Sequence, residues 1–159
     1  MIVLEIVREW DGIEIPDDLI RTLALEVCAR FSVEHAVLTV VIVDDREICR
    51  LNREFMNRQG STDCFTFDLS EPEAGDAEKT FEIVVNGQKA VSEAEARAHS
   101  SRAECALYIV HGLLHAMGLD DATEDQARTM HTLEDEILQC HGLGVVYNTE
   151  RQNRPTELM

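Results

Sequence analysis

The chain has 159 residues, 45% hydrophobic and 28% charged, ordinary values for a soluble globular protein with one sizeable core. No apolar run approaches the roughly 20 residues of a membrane span. The start, Met-Ile-Val-Leu-Glu-Ile-Val-Arg, carries an acid and no basic leader, so it reads as a strand rather than a secretion signal.

Taken in chain order, Ile2–Val7 alternates as a strand. Pro16 followed by Asp17 and Asp18 opens a helix to about Phe31, with acids in the first turn where the helix dipole favours them. The β-branched run Val37–Val43 predicts a buried strand. Asp44 or Asp45 caps a short helix, about Arg46–Phe55. A polar loop over Asn57–Ser61 leads into a strand over Asp63–Leu69. Ser70–Thr80 is acidic, with Pro72 and Gly75, and predicts an exposed, mobile loop. Phe81–Asn86 is a further strand with Asn86-Gly87 as its turn. Helical spacing runs from Lys89 to Met117, broken near His99, where Ser100 or Ser101 caps the second segment. Thr123 and Gln126 form a capping box for a last helix ending near Cys140. The order β-α-β-α-β-β-α-α-α predicts an α+β fold, about four strands in a small mixed sheet packed with about five helices. It forms one compact domain over residues 1–147, with a polar, disordered tail over 148–159.

The balance of 14 Lys and Arg against 31 Asp and Glu gives a net charge of −17. That excludes the broad basic surface of most nucleic-acid binders: the chain must concentrate its cations, act through a partner or bind nucleic acid weakly. Arg46, Arg50, Arg53 and Arg58 form the densest basic stretch, and the first three share a helical face, which a solvated surface explains at least as well as a binding site. The five cysteines are scattered, with no Cys-x-x-Cys pair, and read as buried thiols in the reducing cytoplasm.

The chemistry concentrates in residues 111–121, His-Gly-Leu-Leu-His-Ala-Met-Gly-Leu-Asp-Asp. Histidines four apart on a helix share a face, so His111 and His115 can reach one metal ion. Gly118 suits a left-handed helix end that folds the chain back and returns Asp121 as third ligand, with Asp120 its rival. Two imidazoles and a carboxylate suit zinc, one divalent ion per chain, with a fourth position for water. Ala103, Leu107, Val110, Leu114 and Met117 complete an apolar stripe without the histidines, which places them at the border of a cleft. Gly112 costs about 1 kcal/mol in mid-helix relative to Ala, so its small size should serve packing. Glu104, seven residues before His111, is a candidate to orient that ring or act as a base through water, against the alternative of an exposed helix carboxylate. His35, His99, His131 and His141 show no ligand spacing and read as surface or helix-end residues.

These residues resemble the YbeY family, bacterial endoribonucleases of ribosomal RNA maturation. His111–Asp121 matches the family's His-Gly-x-x-His-x-x-Gly-x-Asp-His except at the last position. Leu51-Asn52-Arg53-Glu54-Phe55, then Thr62-Asp63-Cys64-Phe65-Thr66-Phe67, is similar to the family's Leu-Asn-x-x-Tyr-Arg and Thr-Asp-Val-Leu-Ser-Phe, and Phe81–Val85 to its Gly-Asp-Ile-x-Ile strand. The resemblance implies a metal-dependent, single-strand-specific endoribonuclease acting in late 16S rRNA 3′-end processing and ribosome quality control. It implies ribosomal RNA, the ribosome or ribosomal proteins as partners, and neither membrane nor DNA. Asp121 replaces the family's third histidine and lowers the net charge of the metal site. Met56 replaces an arginine assigned to the RNA backbone, and Arg58 is the expected substitute, as a candidate catalytic and substrate-binding residue. Thr62, Asp63 and Thr66 are expected to line the cleft and bind substrate, although Asp63 could serve only the turn before its strand. Two other readings stand beside this one. One is a non-enzymatic, metal-containing ribosome-associated protein. The other is a zinc metallopeptidase, which would want Glu where Gly112 stands.

Overall fold

The computed structural model describes residues 1–74 and 78–144. Four strands, β1 (Ile2–Arg8), β2 (Ala36–Val43), β3 (Cys64–Asp68) and β4 (Lys79–Asn86), form one sheet in the order β1-β2-β4-β3. β1, β2 and β4 run parallel, with Ile2 opposite Ala36 and Ala36 opposite Lys79, whereas β3 is antiparallel to β4, with Cys64 opposite Val85. Among the described residues five α-helices complete the fold: α1 (Asp17–Arg30), α2 (Asp45–Met56), α3 (Gly87–Arg97), α4 (Ser101–Ala116) and α5 (Glu124–Cys140). The architecture is the expected α+β domain. The polar segment 148–159 lies outside the described residues, and no helix among those described is long and apolar enough to cross a membrane.

Strand alternation divides the packing into three layers. Leu38, Val40 and Ile42 of β2 and Phe81, Ile83 and Val85 of β4 share a face, where they meet α1, α4 and α5 in the main core. The opposite face brings Val41, Val43, Phe65 and Val84 against Ile48 and Leu51 of α2. α4 is central: every residue from Ala103 to Val110 is buried, so the helix is enclosed on more sides than a single apolar stripe indicates.

Local signals placed most boundaries. Asp44 caps α2 by accepting from the Glu47 N–H, Ser100 caps α4, and Thr123 with Gln126 forms the capping box of α5. Two expectations need correction. Asn86-Gly87 is not a turn: Asn86 is the N-cap of α3, accepting from the Lys89 N–H, and Gly87 is its first residue. A Cβ on Gly87 would stand 2.8 Å from Ile42 Cγ2, so the helix starts in a space only glycine fits. β4 also begins two residues earlier than expected, at Lys79. No disulfide forms among the five cysteines, and Cys140 is exposed rather than buried.

Candidate metal centre and cleft

α4 ends in a Schellman turn. Gly118 takes φ +98°, its N–H donates to the His115 carbonyl at 3.0 Å, and the Leu119 N–H reaches back to Leu114 at 3.1 Å. The reversal returns Asp121 to the helix end. His111 Nε2 and His115 Nε2 stand 3.2 Å apart, and the Asp121 carboxylate lies 3.4 Å from the first and 3.7 Å from the second. Asp120 stays outside this group, with its carboxylate accepting the Asp121 N–H at 2.8 Å.

The protons on the two rings follow from their other partners. His115 Nδ1 faces the Leu119 carbonyl at 3.0 Å, and His111 Nδ1 faces the Glu134 carboxylate. Both oxygens only accept, so each Nδ1 carries the hydrogen and each Nε2 offers a lone pair. Two lone pairs and a carboxylate oxygen therefore converge, an arrangement that repels itself unless a cation sits among them. Ligand atoms ~2.0–2.1 Å from a tetrahedral zinc stand about 3.3–3.4 Å from one another, and the three separations fall around that value. The residues fit the ion.

A second group, His111, His131 and Glu134, also brings its ligand atoms within 4.8 Å of one another. Glu134 is only 1% exposed, and its two oxygens accept from His111 Nδ1 and from His131 Nδ1, the latter at 2.7 Å. With both oxygens engaged, the carboxylate orients the rings instead of opening to an ion. Burial alone would raise the Glu134 carboxyl, but the two imidazole donors outweigh it and hold it below its ordinary range. Burial likewise opposes the charged form of His111, and the bond to Glu134 with the nearby Asp63 and Asp121 charges reverses the balance upward.

Glu134 does what Glu104 was expected to do. Glu104 neither orients His111 nor lies exposed: it is buried and bonds His99 Nε2 and the Tyr108 hydroxyl. Seven residues bring it near the bearing of His111 in projection but about 10 Å along the axis. His131 is likewise no bystander, since its ring stacks on that of His111 at 6.2 Å and lines the cleft. His131-x-x-Glu134 on one face of α5 was the available signal, but its partner lies 23 residues from Glu134.

The metal group opens into a cleft of about 780 Å³ whose lining includes Arg58, Thr62, Asp63, Cys64, Thr66 and Asp68. Among the described residues Arg58 is the only lysine or arginine lining it, and it has no carboxylate partner there. Asp63 both borders the cleft and receives the Cys64 N–H at 2.9 Å. The Thr66 hydroxyl is committed to the Gly112 carbonyl at 2.8 Å, tying β3 to α4. A Cβ on Gly112 would lie 2.6 Å from Ile83 Cγ2, which explains the glycine and leaves no room there for a peptidase glutamate. Burial, with Asp63, Glu134 and Asp121, pushes the Cys64 thiol well above its ordinary range.

β3 is one of the sheet's two edge strands, the other being β1. Asp63 and Leu69 bond across to Asn86 and Thr80, so by antiparallel alternation Phe65 and Phe67 pair inward. The backbone N–H and C=O groups of Thr66 and Asp68 and the Cys64 C=O face outward along the cleft, while the Cys64 N–H is taken by the Asp63 carboxylate. Asn86 fixes the approach to this strand: fully buried, it donates to Asp45 at 2.8 Å and to Ser61 Oγ and the Thr62 carbonyl at 3.2 Å each. Of the basic face on α2, Arg50 is absorbed by Glu47 and Glu54, as a solvated surface requires, while Arg53 has no carboxylate partner among the described residues.

The family model described as Endoribonuclease YbeY matches residues 6–142. The endoribonuclease YbeY of Halalkalibacterium halodurans is 36% identical over 115 residues, 67% of this chain and 72% of its own length. That of Carboxydothermus hydrogenoformans is 30% identical over 141 residues, 87% of this chain and 97% of its own. A Thermotoga maritima protein solved in solution aligns over 98% of this chain and 100% of its own, with a TM-score of 0.57 and 21% identity, and shares the fold.

Proposed function

The chain belongs to the endoribonuclease YbeY family, and from that premise we propose that it is a zinc enzyme cutting single-stranded ribosomal RNA in the cytoplasm. Its place would be late 16S rRNA 3′-end processing and ribosome quality control, with the ribosome or its proteins as partners. It is a metal-dependent endoribonuclease, hence a hydrolase. The observation that carries the metal assignment is the convergence of the His111 and His115 lone pairs with the Asp121 carboxylate, which supports these three as ligands. Bound there, the ion supplies Lewis acidity and a nucleophile at neutral pH.

The protein's own part is to orient and to hold. Glu134 and the Leu119 carbonyl fix the two rings. Arg58, with its planar guanidinium, can grip phosphate oxygens in bidentate fashion, the task Met56 cannot perform. Thr62 and Asp63 shape the wall of the substrate cleft, and Thr66 holds that wall to α4.

Metal analysis of purified protein, then incubation with ribosomal RNA and with ribosomes, with and without chelator, tests this reading. We expect one zinc per chain and chelator-sensitive cleavage of single-stranded RNA. Arg58→Ala should cut slowly, at least ten-fold below wild type on the scale of one lost charge-assisted contact, with metal content unchanged. No cleavage above the chelated control on either substrate would favour the non-enzymatic alternative.

A further inference from the structure

We propose that Phe55 is a stacking platform for one unpaired nucleobase of the RNA, adjoining the phosphate held at Arg58; the inference rests on the ribonuclease reading above. Phe55 is 60% exposed, and among the described residues it is the only aromatic side chain in the exposed large hydrophobic set. Its ring is not loose. Phe67 meets it edge-to-face at a centroid distance of 5.4 Å, and Phe67 lies 6.2 Å from Phe65, which lines the metal cleft. An aromatic ledge thus runs from the cleft wall to the end of α2.

Charge selects the occupant. In a chain of −17, Arg50 is matched by Glu47 and Glu54, and Arg53 turns to another face of α2, beside Glu9 and Val43. Arg58, three residues after Phe55, lines the cleft without a carboxylate partner among the described residues. An exposed ring on the ledge that leads from the cleft, near in sequence to the cleft's guanidinium, suits a ligand with a flat π-face and an adjoining phosphate. An unpaired nucleotide has both. A base inside a duplex is already stacked on its neighbours and cannot lie on Phe55, so the platform also supplies a physical source of single-strand selectivity.

The test uses the full-length, metal-loaded protein in stopped-flow mixing, so that binding is read before cleavage. The probe is a single-stranded oligoribonucleotide carrying 2-aminopurine, whose fluorescence falls on stacking, compared with the same strand annealed to its complement. Wild type and Phe55→Trp should quench the single strand and leave the duplex unchanged. Phe55→Leu, which keeps an apolar contact for Phe67, should bind about ten-fold more weakly without quenching. Equal affinity and quenching for wild type and Phe55→Leu overturns the proposal. So does the absence of quenching by wild type, whatever the variants do. Phe55-dependent quenching without any cleavage upholds the platform and overturns the nuclease reading; cleavage without quenching does the reverse.

Discussion

Glu134 shows how one buried carboxylate sets the chemistry of a site it does not enter. Because its oxygens accept from His111 and His131, Glu134→Gln must present an N–H₂ group to one of them and lose that contact. We expect zinc affinity to fall about 10–100-fold, the usual cost of losing such an orienting partner, with the fold retained. Competition against a chromogenic chelator measures it, and unchanged affinity would remove Glu134 from the metal centre. The contrast with the proposed ligands explains what could be read in advance. His111, His115 and Asp121 lie within 11 residues, and helix periodicity with one glycine turn brings them together. Glu134 and His131 belong to a helix whose docking depends on the whole core, and no local rule places them beside His111.

The elements were legible where local chemistry decides and misread where packing does. Caps at Asp44, Ser100 and Thr123 satisfy their own helices, so residue type and spacing sufficed. Asn86-Gly87 carries equally good signals for a turn and for a helix start, and the choice falls to the space between Gly87, Ile42 and Trp10. At the start of α2, hydrogen bonds from Ser61 and Asn86 hold the Asp45 carboxyl below its ordinary 3.8. A depressed folded-state value stabilises the fold above the unfolded value and is lost as pH falls through the folded one. Asp45→Asn should therefore cost about 1 kcal/mol near neutrality, and the gap from wild type should shrink as pH drops below about 4. Urea titrations at several pH values measure this; a gap that widens in acid contradicts it. In α4, Gly112→Ala gains about 1 kcal/mol of helix propensity but forces a methyl against fully buried Ile83, an overpacking cost of roughly 1–3 kcal/mol. The clash should win, lowering the urea midpoint and weakening zinc binding at the neighbouring His111; a variant more stable than wild type would show that the sheet yields.

Over the whole molecule, the proposed metal centre joins α4, the loop after Gly118 and, through Glu134, the last helix. An ion bound only by the folded state adds about 2.7 kcal/mol at a hundred times its dissociation constant. Chelation should therefore speed amide exchange in residues 118–140 well ahead of β2 and β4, as hydrogen exchange with mass spectrometry would read. Uniform acceleration everywhere would mean that the site stabilises no region in particular. The surplus of acid also bears on the open edge of β3. Outward N–H and C=O groups on an edge strand are a template for a second strand from another molecule. Here the strand is five residues long, carries Asp68, and belongs to a chain of −17 that repels its own copies. The charge that makes a polyanion slow to arrive thus keeps the edge free of sister chains, and leaves it for a ligand whose own charge the ion and Arg58 can offset.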